Sequence, residues 1–265
     1  MTTGQEPVGA LLRHWREQRR RSQLDVSIAA DLSARHLSFI ETGRSMPSRQ
    51  MIGRLCEELE VPLRDRNGLY LAAGFAPVHE ERPLDHIRFA CAAVDAVLAG
   101  HEPYPAIAVD ARWDLVSANR AMTRFLDAVP DTLRMPRLNM LRAALHPDGL
   151  AAQLRNYEQW RTHVVRRIRR QIERTAARGL TKLLAEINDY PVPPGADAGA
   201  GVDDTADAVV PMVLATEFGE LRLSYMLSVF GAPQDVTIDE IAIESFFPAD
   251  AATREILWSL STRTP

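Results

Sequence analysis

Helix start and stop signals divide the first 75 residues into five short segments, and no other feature constrains the fold as much. In the first segment, apolar residues recur at helical spacing from Val8 to Trp15. Ser22 and Ser33 can each cap a following helix, and Gly43 suits the left-handed position just beyond a helix end. The predicted helices begin at Val8, Ser22, Ser33, near Ser48 and at Pro62, and the last ends at Gly74.

The second and third of these segments are predicted to form a helix-turn-helix, because only Asp31-Leu32-Ser33 separates two short helices. The third helix carries Leu37 and Ile40 on its inner face. Helices this short gain most of their stability from packing against neighbours. We therefore predict an all-α, five-helix domain over residues 1–78.

Basic residues gather at the end of the first predicted helix. Residues 13–21 have a net charge of +4, from Arg13, Arg16, Arg19, Arg20 and Arg21 against Glu17. Such a cluster suits a phosphate-facing surface, and a solvated basic helix end explains it equally well. Residues 1–78 have a net charge of +2 and residues 79–265 one of −6, so the two parts are expected to face different partners.

Several motifs within residues 22–75 keep a common spacing. Ser22-Gln23, then Leu37-Ser-Phe-Ile-Glu-Thr-Gly-Arg44, then Pro47-Ser48 resemble the phage-repressor or xenobiotic-response-element (XRE) type of helix-turn-helix. The run from Ser33 to Arg49, followed by Leu71-Ala-Ala-Gly-Phe75, is similar to regulators that have a MmyB-like ligand-binding domain. The resemblance implies a lambda-repressor-like fold and sequence-specific binding to double-stranded DNA.

The resemblance also implies that the third helix lies in the major groove, where base edges are distinguishable. Arg35 can then donate a bidentate pair to guanine or contact phosphate only, and Phe39 can pack on a thymine methyl group or belong to the core. Gln23, Arg44, Ser48 and Arg49 suit phosphate contacts, which fix register without reading sequence. The full expected DNA-binding set is Gln23, Ser33, Ala34, Arg35, His36, Phe39, Arg44, Ser48 and Arg49.

Arg16 and Glu41 occupy positions that pair in this type of domain, and the resemblance implies a structural role for them. Loss of one partner leaves a buried charge unpaired, at a cost of roughly 3–5 kcal/mol. We expect such a change to prevent folding rather than to remove one contact.

The second segment begins after the proline-containing stretch 76–86 and is predicted to be an α+β domain over residues 79–265. A helix near 84–99 precedes a short hairpin at 107–117, and Asn119 can cap the next helix. A long amphipathic helix is predicted at 150–177, with arginines on its outer face, Arg167 among them. A helix at 180–187, a loop at 190–208, strands at 209–216, 221–230 and 241–247, and a final helix at 250–260 complete the prediction.

This second segment resembles the MmyB-like ligand-binding domain, which has a PAS-like fold. The matching stretches include Trp113-Asp-Leu-Val-Ser-Ala-Asn119, His146-Pro-Asp-Gly-Leu150 and Phe230-Gly-Ala-Pro-Gln-Asp-Val-Thr237. The resemblance implies an apolar small-molecule ligand such as a fatty acid, bound between the sheet and its helices. The candidate lining residues, which an ordinary core would also explain, are Trp113, Phe125, Tyr157, Trp160, Val164, Met226 and Phe230.

Other functional classes find little support in the sequence. The chain has two cysteines without metal-like spacing, and no phosphate loop, nucleophile elbow or long apolar run. We therefore expect no metal, no cofactor, no membrane span and no enzymatic activity. The N-terminus lacks secretory features, which predicts a cytoplasmic protein.

The sequence is best explained by a ligand-responsive transcriptional regulator. A homodimer is expected, because one recognition helix supplies few base contacts and paired half-sites sit about 34 Å apart. The alternatives are a protein–protein adaptor or antitoxin-like module with the same helix-turn-helix, and an enzyme fused to a DNA-binding domain.

Overall fold

Five helices form the N-terminal part of the computed structural model, which describes residues 6–175, 177–194 and 210–262. They are α1 (Val8–Gln18), α2 (Gln23–Ala29), α3 (Ala34–Glu41), α4 (Arg49–Glu58) and α5 (Leu63–Ala72). The hydroxyl groups of Ser22, Ser33 and Ser48 accept backbone N–H groups at the starts of α2, α3 and α4. Gly43 and Gly74 have φ angles of +73° and +81°. The predicted five-helix domain is confirmed, including its caps.

The N-terminal compact unit also contains a segment from far along the chain. This unit comprises Met1–Pro83 and Ala232–Asp239, and the second comprises Leu84–Gly231 and Glu240–Pro265. The short helix within the returning segment, Val236–Asp239, packs against α5, and the Asp239 carboxylate accepts the Leu63 N–H at 3.1 Å. The Asp235 carboxylate bonds the Arg82 Nε at 2.9 Å. The sequence-based division into residues 1–78 and 79–265 places Ala232–Asp239 in the second part, whereas the structure places this segment in the N-terminal unit.

The second unit is built on a five-stranded antiparallel sheet with the order β2-β1-β5-β4-β3. Its strands are β1 (Ala106–Val109), β2 (Leu115–Ala118), β3 (Met212–Thr216), β4 (Gly219–Val229) and β5 (Ala242–Pro248). Its helices are α6 (Arg88–Gly100), α7 (Arg120–Leu126), α8 (Asp131–Arg134), α9 (Met140–Leu145), α10 (Tyr157–Thr175), α11 (Arg178–Asn188) and α13 (Ala251–Thr262), with α12 being Val236–Asp239 of the first unit. This is the predicted α+β, PAS-like fold.

The two faces of the sheet are covered by different helices. Side chains alternate between the two faces along β1. Ile107 and Val109 belong to the core on the α10 side, and Ala106 and Ala108 belong to the core on the α6 side. The face toward α10 holds the larger apolar core.

Several predicted boundaries were wrong. The long helix begins at Tyr157 rather than 150, because Leu154 forms a bridge with Leu214 of β3 and Arg155 donates its N–H to Val213. The short helices α8, α9 and α12 were not predicted. Residues 190–194 contain no regular element, and the rest of the predicted loop lies outside the described residues. No helix in the described part of the chain combines the length and apolar character that a bilayer crossing requires.

Candidate DNA-binding surface and ligand site

Helix α3 and the turn that follows it bring two arginines and an aromatic ring together. Arg35 is exposed, and its guanidinium carbon lies 5.3 Å from the centroid of the Phe39 ring, one turn further along the helix. The Arg44 guanidinium contacts the same ring at 5.9 Å. Phe39 is half-buried, so its ring is neither wholly core nor wholly free. The Arg35–Phe39–Arg44 cluster thus offers guanidinium donors fixed beside an apolar surface.

The other predicted DNA-binding residues have different local partners. Ser33 and Ser48 act as N-caps, so each hydroxyl oxygen accepts a backbone N–H and keeps its own proton to donate. The His36 Nε2 lies 3.5 Å from the Ser45 hydroxyl. Arg49 is exposed at the start of α4, where its guanidinium contacts the Tyr70 ring at 5.8 Å. Ala34, the first residue of α3, is half-buried.

Gln23 belongs to a buried ionic network. The Arg16 Nε and Nη2 donate to the two carboxylate oxygens of Glu41 at 2.6 and 2.9 Å, and the Gln23 amide donates to the same carboxylate at 2.8 Å. The side chains of Arg16 and Glu41 are 12% and 2% exposed. The hydrogen bond to Glu41 raises the pKa of Arg16. The network ties α1, α2 and the end of α3 together.

The arginines that follow α1 form hydrogen bonds with the end of α4. Arg19 donates to the carbonyls of Leu59 and Glu60, and Arg21 donates to the carbonyl of Glu58. These carbonyls lie at the C-terminal end of α4, where cations are favourable. With Arg16 on Glu41, three of the five clustered arginines hold helices together. The positive charge of this cluster is therefore explained in part by hydrogen bonds within the fold.

The structure brings most of the predicted ligand-lining residues together and separates two. Trp113, Tyr157, Trp160 and Val164 lie in the larger core, with Phe125 partly buried against it. Phe230 packs instead with the core under α6.

Met226 is 62% exposed, because side chains alternate along β4 and its neighbour Tyr225 is the one that faces α10. Met226 and Phe230 therefore do not share a site with the other predicted residues.

A buried polar cluster lies where α10 crosses this face of the sheet. The Arg167 guanidinium is held between two rings, 4.0 Å from Trp113 and 4.6 Å from Tyr225. Its Nη1 donates to the Glu244 carboxylate at 2.7 Å. Burial raises the pKa of Glu244, and the charge of Arg167 opposes this rise. Its Nη2 is buried without a hydrogen-bond acceptor among the described residues.

Three aromatic side chains extend the cluster along α10. Trp160 stacks on His163 with ring centroids 5.5 Å apart, and the His163 Nε2 lies 2.6 Å from the Tyr225 hydroxyl. Burial lowers the pKa of His163, and so do the charges of Arg167, Arg166 and Arg170. The Trp160 Nε1 is a second buried donor without an acceptor in the described chain. The cluster therefore contains two buried donors that have no acceptor among the described residues.

Sequence reasoning missed Arg167, Tyr225, Glu244 and His163. Arg167 was placed on the outer face of the helix because of its charge. Its position three residues after Val164 and seven after Trp160 puts it on the inner stripe, and this spacing is the signal that could have found it. Glu244 lies 77 residues further on, and no local pattern indicates that pairing.

Comparison with known proteins agrees with this two-part architecture. A model of the MmyB-like transcription regulator ligand binding domain matches residues 90–260, and a helix-turn-helix domain model matches residues 7–69. No curated protein matches the chain.

Among solved structures, one described as an RNA-binding Light-Oxygen-Voltage Receptor aligns at 12% identity over 96% of this chain and 62% of its own length. The TM-score of 0.28 is too low to support an argument. The first family model covers well over half of the residues, and the chain therefore belongs to the MmyB-like transcription regulators.

Proposed function

We propose that the protein binds operator DNA as a homodimer through α3 and that a fatty acid bound on the α10 side of the sheet changes its operator affinity. The exposed Arg35–Phe39–Arg44 cluster supports the DNA part, because bidentate guanidinium donors and an apolar edge are the groups that read guanine and thymine. Regulator-type domains account for residues 7–69 and 90–260, so the proposal includes no catalytic step.

The unpartnered Arg167 Nη2 is the observation that carries the ligand part. A buried donor without an acceptor costs roughly 1–3 kcal/mol, and more when it is charged. A fatty acid carboxylate would remove this cost at Arg167, and Trp160 Nε1 offers a second donor. The hydrocarbon chain would lie among the apolar residues of the larger core.

Titration of the full-length protein with hexadecanoate tests the proposal. We expect the melting temperature (Tm) to rise, because a ligand that binds only the folded state adds about 2.7 kcal/mol of stability at 100 times its Kd. Hexadecanol, which lacks the carboxylate, should shift Tm less. Arg167→Gln should lower the response to hexadecanoate, and Arg170→Gln, on the exposed side of the same helix, should not.

Trp160→Phe provides a second variant that keeps an aromatic side chain and removes one donor, in case Arg167→Gln fails to fold. If neither a panel of fatty acids nor other apolar metabolites change Tm or operator affinity, the C-terminal domain does not sense such ligands. The adaptor alternative would then explain the protein better.

A further inference from the structure

The outer side of α10 and the C-terminal end of α11 enclose a cleft of about 300 Å³ that is separate from the buried cluster. The described residues that line it are Arg161, Thr162, Val165, Arg166, Arg169 and Asn188. Since a water molecule occupies about 30 Å³ in the liquid, the cleft has room for a tetrahedral oxyanion with some of its hydration.

The residues that line the cleft carry positive charge, and none of them carries a negative charge that would balance it. Helix α10 holds six arginines and two glutamates, and three of the arginines line the cleft without any acidic residue beside them. Arg166 and Arg169 are exposed and have no ion-pair partner among the described residues. Glu158, Glu173 and Asp189 are the nearest acidic residues along the chain, and none of them lines the cleft.

Arg161 is held in place by the end of α11. Its Nη2 donates to the carbonyl oxygens of Asn188 at 2.7 Å and Ile187 at 3.3 Å. Its Nε is buried and has no acceptor in the described chain. The guanidinium is thus oriented before any ligand arrives, and one of its donors remains unused.

Three guanidinium groups and a hydroxyl around one cleft match a doubly charged tetrahedral anion better than a single carboxylate. Arginine binds phosphate through paired N–H donors, and several arginines at one site neutralise its two charges. We propose that this cleft binds a phosphate group between Arg161, Arg166 and Arg169. This proposal does not depend on the ligand assigned to the buried cluster.

Inorganic phosphate is the first probe, titrated into the full-length protein and followed by calorimetry and ³¹P line broadening at an ionic strength held constant with sodium chloride. We expect saturable binding that Arg166→Gln and Arg169→Gln each weaken about tenfold, because each removes a charge-assisted donor. The matched control is Arg170→Gln, which removes an exposed arginine of the same helix from outside the cleft. Unchanged Tm in all three variants would show that they fold.

Two further binding experiments identify the kind of molecule that carries the phosphate group. Tighter binding of a nucleoside diphosphate than of inorganic phosphate would indicate a phosphorylated small molecule. Tighter binding of non-operator duplex DNA, with a salt slope that the double variant Arg166→Gln, Arg169→Gln lowers by about two, would indicate backbone phosphates. The proposal is overturned if phosphate binds no better than chloride, or if Arg170→Gln weakens binding as much as the cleft variants do.

Discussion

Arg35 and Arg49 offer the same guanidinium group in two different settings. Arg35 lies on the exposed side of the predicted recognition helix, beside Phe39, and Arg49 begins α4 next to Tyr70. A base-reading arginine contributes to one sequence position, and a phosphate-binding arginine contributes equally to all sequences. These two residues therefore separate sequence recognition from electrostatic attraction.

We expect Arg35→Ala to weaken operator binding by roughly 1–3 kcal/mol and to relax the preference at one base position. Arg49→Ala should weaken binding to all sequences alike and lower the salt slope by about one. Selection of binding sites from random duplexes, followed by salt titrations, measures both effects. Equal behaviour of the two variants would contradict the assignment of Arg35 to base reading.

Between elements, α9 and α11 are joined by a bidentate ion pair. The Arg142 Nε and Nη2 donate to the Glu186 carboxylate at 2.7 and 2.8 Å, and the Tyr190 hydroxyl donates to it at 2.5 Å. These bonds hold the pKa of Glu186 at about 2, well below its usual range, with the Arg142 hydrogen bond as the largest cause. Only the charged carboxylate accepts all these donors, so acid should weaken the link.

Because the folded pKa is lowered, the stabilisation is present above the ordinary carboxyl range and is lost as pH falls toward 2. Glu186→Gln should lower Tm near pH 7 by no more than about 2–4 °C, since both partners are partly exposed. This difference should shrink between pH 4.5 and pH 2. Thermal unfolding across that range measures it, with the exposed Glu217→Gln as control. A difference independent of pH would mean that the ion pair does not link the two helices.

The same comparison of elements shows what a sequence can predict. The caps at Ser22, Ser33 and Asn119 were predicted correctly, because each depends on residues within three positions. The start of α10 was predicted wrongly. Leu154 forms a bridge with Leu214, which lies on a strand 60 residues further along the chain, and the helix therefore begins after Leu154.

The buried cluster shows the same limit. Arg167 was assigned to the surface by its charge, and its partner Glu244 is distant in sequence. The prediction that Met226 lines the site was wrong because the register of β4 decides which face of the sheet each side chain occupies. A single sequence does not determine that register. Local hydrogen bonding can thus be predicted from the residues themselves, and the long-range pair Arg167–Glu244 cannot. The long-range pair Arg16–Glu41 was predicted only through the family resemblance.

In the whole molecule, one short segment belongs to the N-terminal unit although about 150 residues of chain separate it from the rest of that unit. Residues Ala232–Asp239 are part of the N-terminal unit, and the chain on either side of them forms β4 and β5. Val236 is fully buried, and the Asp235 carboxylate pairs with Arg82. Tyr225 and Glu244 of the buried cluster lie on these same two strands. Only a few residues join this segment to the two strands, since β4 ends at Val229 and β5 begins at Ala242.

We expect the double variant Asp235→Ala, Asp239→Ala to separate ligand binding from its effect on DNA. Hexadecanoate should still raise Tm, because the buried cluster is intact, and operator affinity should no longer respond to it. In the unaltered protein the response should be about 5–150-fold, the usual range of coupling between two sites. Native mass spectrometry of both proteins checks that the double variant changes neither the oligomeric state nor any ligand that co-purifies, and the exposed Asp131→Ala is the control. A ligand can shift operator affinity only if it binds two conformations unequally. A double variant whose operator affinity still responds fully would show that residues 232–239 do not transmit that difference.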